Sequence, residues 1–189
     1  TSGIEVNMTG DHSLNKRSMK SLINLMNKFG AVFIPKNKFN FPLKLISSEM
    51  PVGINYEAGV SAQLKSAVIL AGLNSYGTTK IIETQKSRDH TENMLLSNRN
   101  IIKIDNKKKK IIKIFGKKYL DPLSMIVPND PSSAAFFSAL TLLKKNSSLT
   151  IKNVGLNSTR TGFYQLLKNC GAKIKEEILI RHGTAFQKL

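Results

Sequence analysis

Apolar residues recur along this chain with two different spacings, and the wider spacing predicts helices. Between Met19 and Phe29 they fall three or four residues apart, which predicts an amphipathic helix that Gly30 closes in a left-handed conformation. Four other stretches show helical spacing or cap residues at their ends. They are residues 61–73 (SAQLKSAVILAGL), 87–96 (SRDHTENMLL), 129–143 (NDPSSAAFFSALTLL) and 158–172 (STRTGFYQLLKNCGA).

Short apolar runs between turn residues predict strands. The two runs that flank Lys107–Lys110 predict a β-hairpin, in which these four lysines form a solvated turn. The predicted strands are residues 4–9 (IEVNMT), 31–35 (AVFIP), 41–47 (FPLKLIS), 79–84 (TKIIET), 101–105 (IIKID), 111–115 (IIKIF), 123–128 (LSMIVP), 148–155 (SLTIKNVG) and 172–179 (AKIKEEIL).

Helices and short strands therefore alternate, which predicts an α/β fold. Two segments far apart also end in the same way. Residues 25–31 (LMNKFGA) and 166–172 (LLKNCGA) both run from apolar and polar residues into Gly-Ala and then into a predicted strand. This similarity predicts an architecture assembled from repeated units.

The stretch 61–73 differs from an ordinary core helix. It holds one lysine and no carboxylate, and small residues stand where bulky ones are usual. Ser61 is a good N-cap, and the first turn of any helix leaves backbone N–H groups without intrahelical partners. With the hydroxyl of Ser61, the small Ala62 and the carboxamide of Gln63, this start is a candidate anion site.

Two further segments place cations at helix starts. Ser87 and Arg88 offer a hydroxyl and a guanidinium, a good pair for a phosphate group. Lys16 and Arg17 lie where the helix dipole disfavours cations, which indicates a bound anion there. The helix start at Asp130 is interpreted as structural, and so is Arg160 in the later segment NSTRTG.

The composition of the chain leaves two classes of ligand open. The formal net charge is +17, from 29 basic and 12 acidic residues, which fits either nucleic acid or small anions as ligands. The chain has no Trp, and its other aromatic residues do not alternate with basic ones as a base-stacking surface requires. A basic nucleic-acid-binding module is therefore the weaker hypothesis.

The remaining chemistry-bearing residues are isolated. The single cysteine, Cys170, excludes an internal disulfide, fits a reducing compartment and is predicted to be a small buried residue. His12, His90 and His182 form no metal-ligand pattern, and no nucleotide-binding glycine motif is present. No metal site is predicted.

Five motifs in order carry a resemblance to a known family. They are TGDHSLNKRSM, SAQLKSAVILAGLNSYGTT, SRDHTENML, VPNDPSSAAFF and VGLNSTRTG. Together they resemble the 5-enolpyruvylshikimate-3-phosphate synthase (3-phosphoshikimate 1-carboxyvinyltransferase) family over nearly the whole chain. The sister UDP-N-acetylglucosamine enolpyruvyl transferase is the alternative, but SAQLKSA and SRDHTE fit it poorly.

The resemblance implies an activity and a fold. The family transfers the carboxyvinyl group of phosphoenolpyruvate to the 5-hydroxyl of shikimate 3-phosphate and releases phosphate, on the route to aromatic amino acids. It needs no metal or organic cofactor. The implied fold is a two-lobe, inside-out α/β barrel of repeated βαβαββ units, with substrates in the cleft between lobes. A cytoplasmic, monomeric full-length enzyme, without nucleic-acid or membrane partners, is expected.

The resemblance also assigns site residues. Ser61, Ala62 and Gln63 match residues that contact shikimate 3-phosphate, and Gln63 also lies near phosphoenolpyruvate. Ser87 matches a serine that holds the phosphate of shikimate 3-phosphate, with Arg88 beside it. Arg17 matches an arginine that contacts phosphoenolpyruvate, although Ser18 replaces the proline usual after it.

Several family segments have no counterpart here, including those that carry the lysine and carboxylates assigned to proton transfer. The resemblance therefore implies an internal fragment with no catalytic acid or base of its own. Residues 1–127 are expected to be part of one lobe and residues 128–189 the start of the second. The fragment alone is expected to be inactive.

Overall fold

The computed structural model describes residues 3–106, 109–181 and 184–188, and the chain divides into two compact units, Thr1–Asp121 and Pro122–Leu189. The expected lobe boundary after residue 127 lies close to this division, and the assignment of the units to two lobes stays a prediction. The elements of the first unit are β1 (Glu5–Met8), α1 (His12–Asn15), α2 (Lys20–Asn27), β2 (Val32–Ile34), β3 (Leu43–Ile46), β4 (Asn55–Ala58), α3 (Ala62–Leu73), β5 (Thr78–Glu83), α4 (His90–Leu95), β6 (Ile102–Asp105) and β7 (Lys110–Phe115). Those of the second are α5 (Pro131–Leu143), α6 (Gly162–Asn169), β8 (Glu177–Arg181) and β9 (Thr184–Lys188).

A small antiparallel sheet with strand order β1-β3-β2 begins the first unit. Its core joins Ile23 of α2 to Phe33 of β2 and Leu43 of β3, so the apolar face of the helix covers the sheet. Gly30 follows α2 with φ +86°, and the Ala31 N–H donates to Met26 O at 3.2 Å. This left-handed closure confirms the predicted helix end.

A second sheet, with strand order β4-β5-β7-β6, carries the main core. Strands β6 and β7 pair antiparallel, which confirms the predicted hairpin, while β4 pairs parallel with β5 through the crossover helix α3. The sequence analysis missed β4. Its run NYEA has no continuous apolar stretch, and the parallel partner that stabilises it lies more than twenty residues away.

Helix α3 packs directly on this sheet. Val68 and Ile69 are fully buried against isoleucines of β5 and β7. Gly72 allows the close approach, because a Cβ there would lie 2.9 Å from the Thr79 side chain. On the side of α3 that faces the sheet, a small residue therefore allows the helix and the sheet to pack closely.

The second unit is built around α5 and α6. Asp130 caps α5 by accepting from the Ser132 N–H at 3.2 Å, and the buried Tyr164 hydroxyl of α6 donates to Pro131 O at 2.9 Å. Gly171 closes α6 with φ +91°, and the Ala172 N–H donates to Leu167 O at 3.0 Å. The closure repeats that of α2, in agreement with the similarity of the two sequences.

Three predictions for this unit are wrong. Residues 123–128 and 148–155 form no strand, because within the described residues they share only the bridge between Asn129 and Val154, and a strand needs a ladder of such bonds. Cys170 is exposed rather than buried, because it lies at the C-cap of α6 on the solvent side.

Helix α5 exposes much of its apolar surface. Phe136 is 79% exposed and Leu143 is 85% exposed, whereas Pro131 and Ala134 are its buried residues. Helix α5 carries apolar residues of its own on all faces, a pattern typical of helices that other elements enclose. In the described part of the chain, every helix is too short or too polar to cross a membrane.

Candidate functional site

Helix α3 separates two environments. Lys65, Val68, Ile69 and Gly72 face the interior, whereas Ala62, Gln63, Ser66 and Leu70 line an open groove of about 440 Å³. The groove continues over the start of α4. Its lining residues are Ala62, Gln63, Ser66, Ala67, Leu70, Arg88, His90 and Thr91.

The first turn of α3 forms one wall of the groove. The Ser61 hydroxyl accepts from the Leu64 N–H at 3.3 Å, which confirms the predicted N-cap. Intrahelical bonding begins where the Lys65 N–H donates to Ser61 O at 3.1 Å. The N–H groups of Ala62 and Gln63 precede that bond, so they can serve an anion in the groove.

The opposite wall comes from the turn between β5 and α4. Arg88 is exposed and lines the groove, while Ser87 is buried directly before it. Both the N–H and the hydroxyl of Ser87 donate to Glu83 Oε1 at 3.0 Å. The single hydroxyl proton of Ser87 is therefore directed at a carboxylate in this structure.

The structure brings most of the predicted site residues together. Ala62, Gln63 and Arg88 share the groove, Ser61 caps the helix at its edge, and Ser87 lies behind Arg88. Arg17 does not line this groove. It is exposed after α1, where its carbonyl accepts from Asn40 Nδ2 at 3.2 Å.

A buried ion network lies beside the groove, and the sequence analysis missed it. The Nζ of Lys65 lies 2.7 Å from an oxygen of Glu83 and 2.7 Å from an oxygen of Glu92. Lys110 Nζ lies 3.1 Å from Glu83 and 3.4 Å from Glu92. The network joins α3, β5, α4 and β7, and Lys65 is fully buried.

Two sequence interpretations are wrong at this network. The three-residue spacing of Asp89 and Glu92 in the sequence predicts a capping box, but the Asp89 side chain makes no cap hydrogen bond and Glu92 points at Lys65. Lys110 was predicted to be part of a solvated turn, but it belongs to β7 and the network. Lys107 and Lys108 lie outside the described residues.

Two signals could have revealed the network. Lys65 is the one charged residue in the stretch 61–73, so a partner was needed wherever that helix is buried. Glu83 follows Thr79 and Ile81 with the period of two that places alternate strand residues on one face. That face is the buried one.

The electrostatics of Glu83 reflect these contacts. Burial acts to raise the pKa of its carboxyl. Hydrogen bonds from Lys65, from the backbone of Ser87 and from Lys110 outweigh it and lower the pKa from 4.5 to about 2. The carboxylate therefore stays charged at neutral pH.

This shift predicts an acid-sensitive contribution to stability. Because the pKa of Glu83 is lower in the folded state, its charge stabilises the fold above pH 4.5, and this contribution is lost as the pH falls toward 2. We expect the loss to reach up to about 3 kcal/mol in the free energy of unfolding. Urea unfolding of wild type and Glu83→Gln at stepped pH measures it as the difference between the two profiles. Parallel profiles would contradict the prediction.

A separate polar cluster marks the start of α5. Arg160 Nη2 donates to Asp130 Oδ1 at 2.6 Å and to the Ser132 hydroxyl at 2.8 Å. The guanidinium of Arg160 is therefore paired with Asp130, the residue that caps α5. This arrangement fits the structural interpretation of both Asp130 and Arg160.

Among the described residues, His, Cys, Asp and Glu side chains form no group of three that could hold a metal ion, and His182 lies outside those residues.

Comparison with known proteins gives the fold class first. The chain superposes on the enolpyruvyl transferase NikO from Streptomyces tendae with a TM-score of 0.57 at 12% identity, over 88% of this chain and 40% of that chain. The two share the enolpyruvyl transferase fold. The chain belongs to the EPSP synthase (3-phosphoshikimate 1-carboxyvinyltransferase) family, whose model matches residues 1–185.

Individual relatives agree with this family. EPSP synthase from Acinetobacter baumannii superposes with a TM-score of 0.81 at 33% identity, over 98% of this chain and 42% of that chain. The 3-phosphoshikimate 1-carboxyvinyltransferase of Thermodesulfovibrio yellowstonii is 44% identical over 89% of this chain, and that of Bacillus subtilis is 42% identical over 89%. The chain spans 39% of the length of each of these two relatives.

Proposed function

We propose that this chain forms the shikimate 3-phosphate-binding wall of a carboxyvinyltransferase. The reaction transfers the carboxyvinyl group of phosphoenolpyruvate to the 5-hydroxyl of shikimate 3-phosphate and releases phosphate. The observation that carries the proposal is the groove in which the first turn of α3 faces Arg88. The matched relatives are named for this activity, and their names favour it over the UDP-sugar and nucleic-acid alternatives.

The groove has the chemistry that a sugar-like phosphate ester requires. Arg88 supplies a permanently charged guanidinium, and the helix start supplies N–H donors and a positive dipole end. Gln63 can donate to one oxygen of the ligand and accept from a hydroxyl. Ala62 and Ser66 are small enough to let the ligand approach the helix backbone.

Two of the predicted site residues, Ser87 and Arg17, do not line the groove in this structure. For Ser87 to hold the phosphate, its hydroxyl must turn from Glu83 to the ligand, and Glu83 then keeps its bonds to the Ser87 N–H and to Lys65. A hydroxyl can rotate in this way without moving the backbone. The roles of Arg17 and Gln63 toward phosphoenolpyruvate stay predictions.

Binding without turnover is the expected behaviour of these 189 residues. General acid–base catalysis needs a titratable group within hydrogen-bond reach of the reacting atoms. The described residues that line the groove include no carboxylate and no lysine. Independence from cofactors and metals, a monomeric full-length enzyme and a cytoplasmic location also stay predictions.

Calorimetric titration of shikimate 3-phosphate tests the proposal. We expect wild type to bind and the double variant Ser61→Ala, Gln63→Ala to lose binding, because it removes a hydroxyl and a carboxamide from the same wall. Phosphoenolpyruvate added to the wild-type complex should release no phosphate.

Two variants control for stability. Asn74→Ala changes the far end of α3, where the Asn74 side chain donates to Leu70 O, and should bind as wild type does. Ser61→Asp keeps an N-cap but adds a carboxylate at the edge of the groove, and should not bind. Equal binding by wild type and Ser61→Asp would contradict the proposed site.

A further inference from the structure

We propose that Glu83 is the positioning residue of this phosphate site, because it fixes the Ser87–Arg88 turn against the first turns of α3. The inference rests on the proposed function and assigns a role to a residue that does not line the groove itself. Glu83 acts through Ser87 and Lys65, with which it shares buried contacts.

Glu83 fixes the turn that carries Arg88. Glu83 is the last residue of β5, and four residues later the chain returns so that Ser87 donates twice to the same oxygen, Oε1. Both residues are buried, Glu83 at 6% and Ser87 at 7% exposure. Two bonds to one buried atom fix the backbone immediately before Arg88, which would otherwise lie on an exposed turn with many conformations.

Glu83 also binds helix α3. Lys65 of α3 donates to that same Oε1 at 2.7 Å. One carboxylate oxygen therefore joins the turn that carries Arg88 to the helix that carries Ala62 and Gln63. A neutral hydrogen bond of 2.7 Å between the hydroxyls of Ser66 and Thr91 links α3 to α4 in addition.

The negative charge of Glu83 is compensated by neighbouring lysines. An isolated carboxylate so close to the groove would repel a phosphate group. Lys65 and Lys110 lie against Glu83 and Glu92, so the four side chains have no net charge. Glu83 can therefore hold the turn without weakening the positive field of Arg88.

The experiment combines affinity and hydrogen exchange. Shikimate 3-phosphate is titrated into wild type, Glu83→Gln, Ser87→Ala and the double variant, with amide exchange measured at Ser87. We expect Glu83→Gln to weaken binding about tenfold, as loss of a charge-assisted hydrogen bond does. Exchange at the Ser87 amide should accelerate about tenfold more than exchange in the core strands, which reports the variant's change in global stability.

A matched control is Glu57→Gln, which makes the same change at an exposed position of β4 and should leave affinity and exchange unchanged. Because Ser87→Ala keeps the backbone N–H that bonds Glu83, the double variant should exchange at residue 87 as fast as Glu83→Gln does. Unchanged affinity in Glu83→Gln, or exchange at residue 87 that rises no more than exchange in the core strands, would overturn the positioning role. If wild type does not bind shikimate 3-phosphate, the proposed function itself fails, and the positioning role fails with it.

Discussion

Replacing Lys65 with methionine is expected to lower the free energy of unfolding by about 3–5 kcal/mol. The substitution leaves Glu83 and Glu92 buried, with the partly exposed Lys110 as the cation that still contacts these two carboxylates among the described residues. Removing one partner of a buried ion pair costs far more than the pair itself contributes, because the remaining charge has lost its solvation. Urea unfolding at neutral pH measures the effect.

Two further variants separate charge from packing. Lys28→Met makes the same change at an exposed position after α2 and should change stability by less than about 0.5 kcal/mol. The triple variant Lys65→Met, Glu83→Gln, Glu92→Gln removes the uncompensated charges and should recover much of the loss. If the triple variant is as unstable as Lys65→Met, lost packing rather than charge explains the result.

Replacing Arg88 with glutamine is expected to weaken shikimate 3-phosphate binding about 100-fold, or about 2.7 kcal/mol. Arg88 is the permanently charged side chain that lines the groove, and glutamine keeps polar donors while removing the charge. Stability should stay near that of wild type, because Arg88 is exposed. Calorimetric titration measures the affinity.

Two further variants, one at Arg99 and one at Arg88 itself, test the role of the Arg88 charge. Arg99→Gln removes an exposed arginine outside the groove and should bind as wild type does. Arg88→Lys should lie between wild type and Arg88→Gln, since lysine keeps the charge but not the planar pair of donors. An Arg88→Gln variant with wild-type affinity would show that the groove is not the phosphate site.

Local patterns predicted the elements whose signals are contained in a few neighbouring residues. The cap at Ser61, the left-handed closures at Gly30 and Gly171 and the hairpin of β6 and β7 are of this kind. They depend on backbone rules that operate within one turn. Motif resemblance likewise identified the family, because five short motifs in order are specific.

Features that depend on distant partners were predicted poorly. Strand β4 exists because β5 pairs with it, and the predicted strand at 148–155 is absent because it has only one bridge among the described residues. Glu92 pairs with Lys65, which is 27 positions away in the sequence, and Lys110 pairs with Glu83, which is also 27 positions away. A periodic pattern records which face is buried, but it does not record which buried charges meet.

The two faces of α3 have a consequence for how the family can diversify. Residues toward the interior, such as Val68 and Ile69, maintain the fold, whereas Gln63, Ser66 and Leu70 line the groove without being buried in it. Substitutions on the groove side can therefore accumulate and alter ligand preference while the core stays constant. Selection can therefore act on ligand recognition through one face of α3 and on folding through the other, almost independently. A laboratory library confined to the groove side of α3 should yield mostly folded variants.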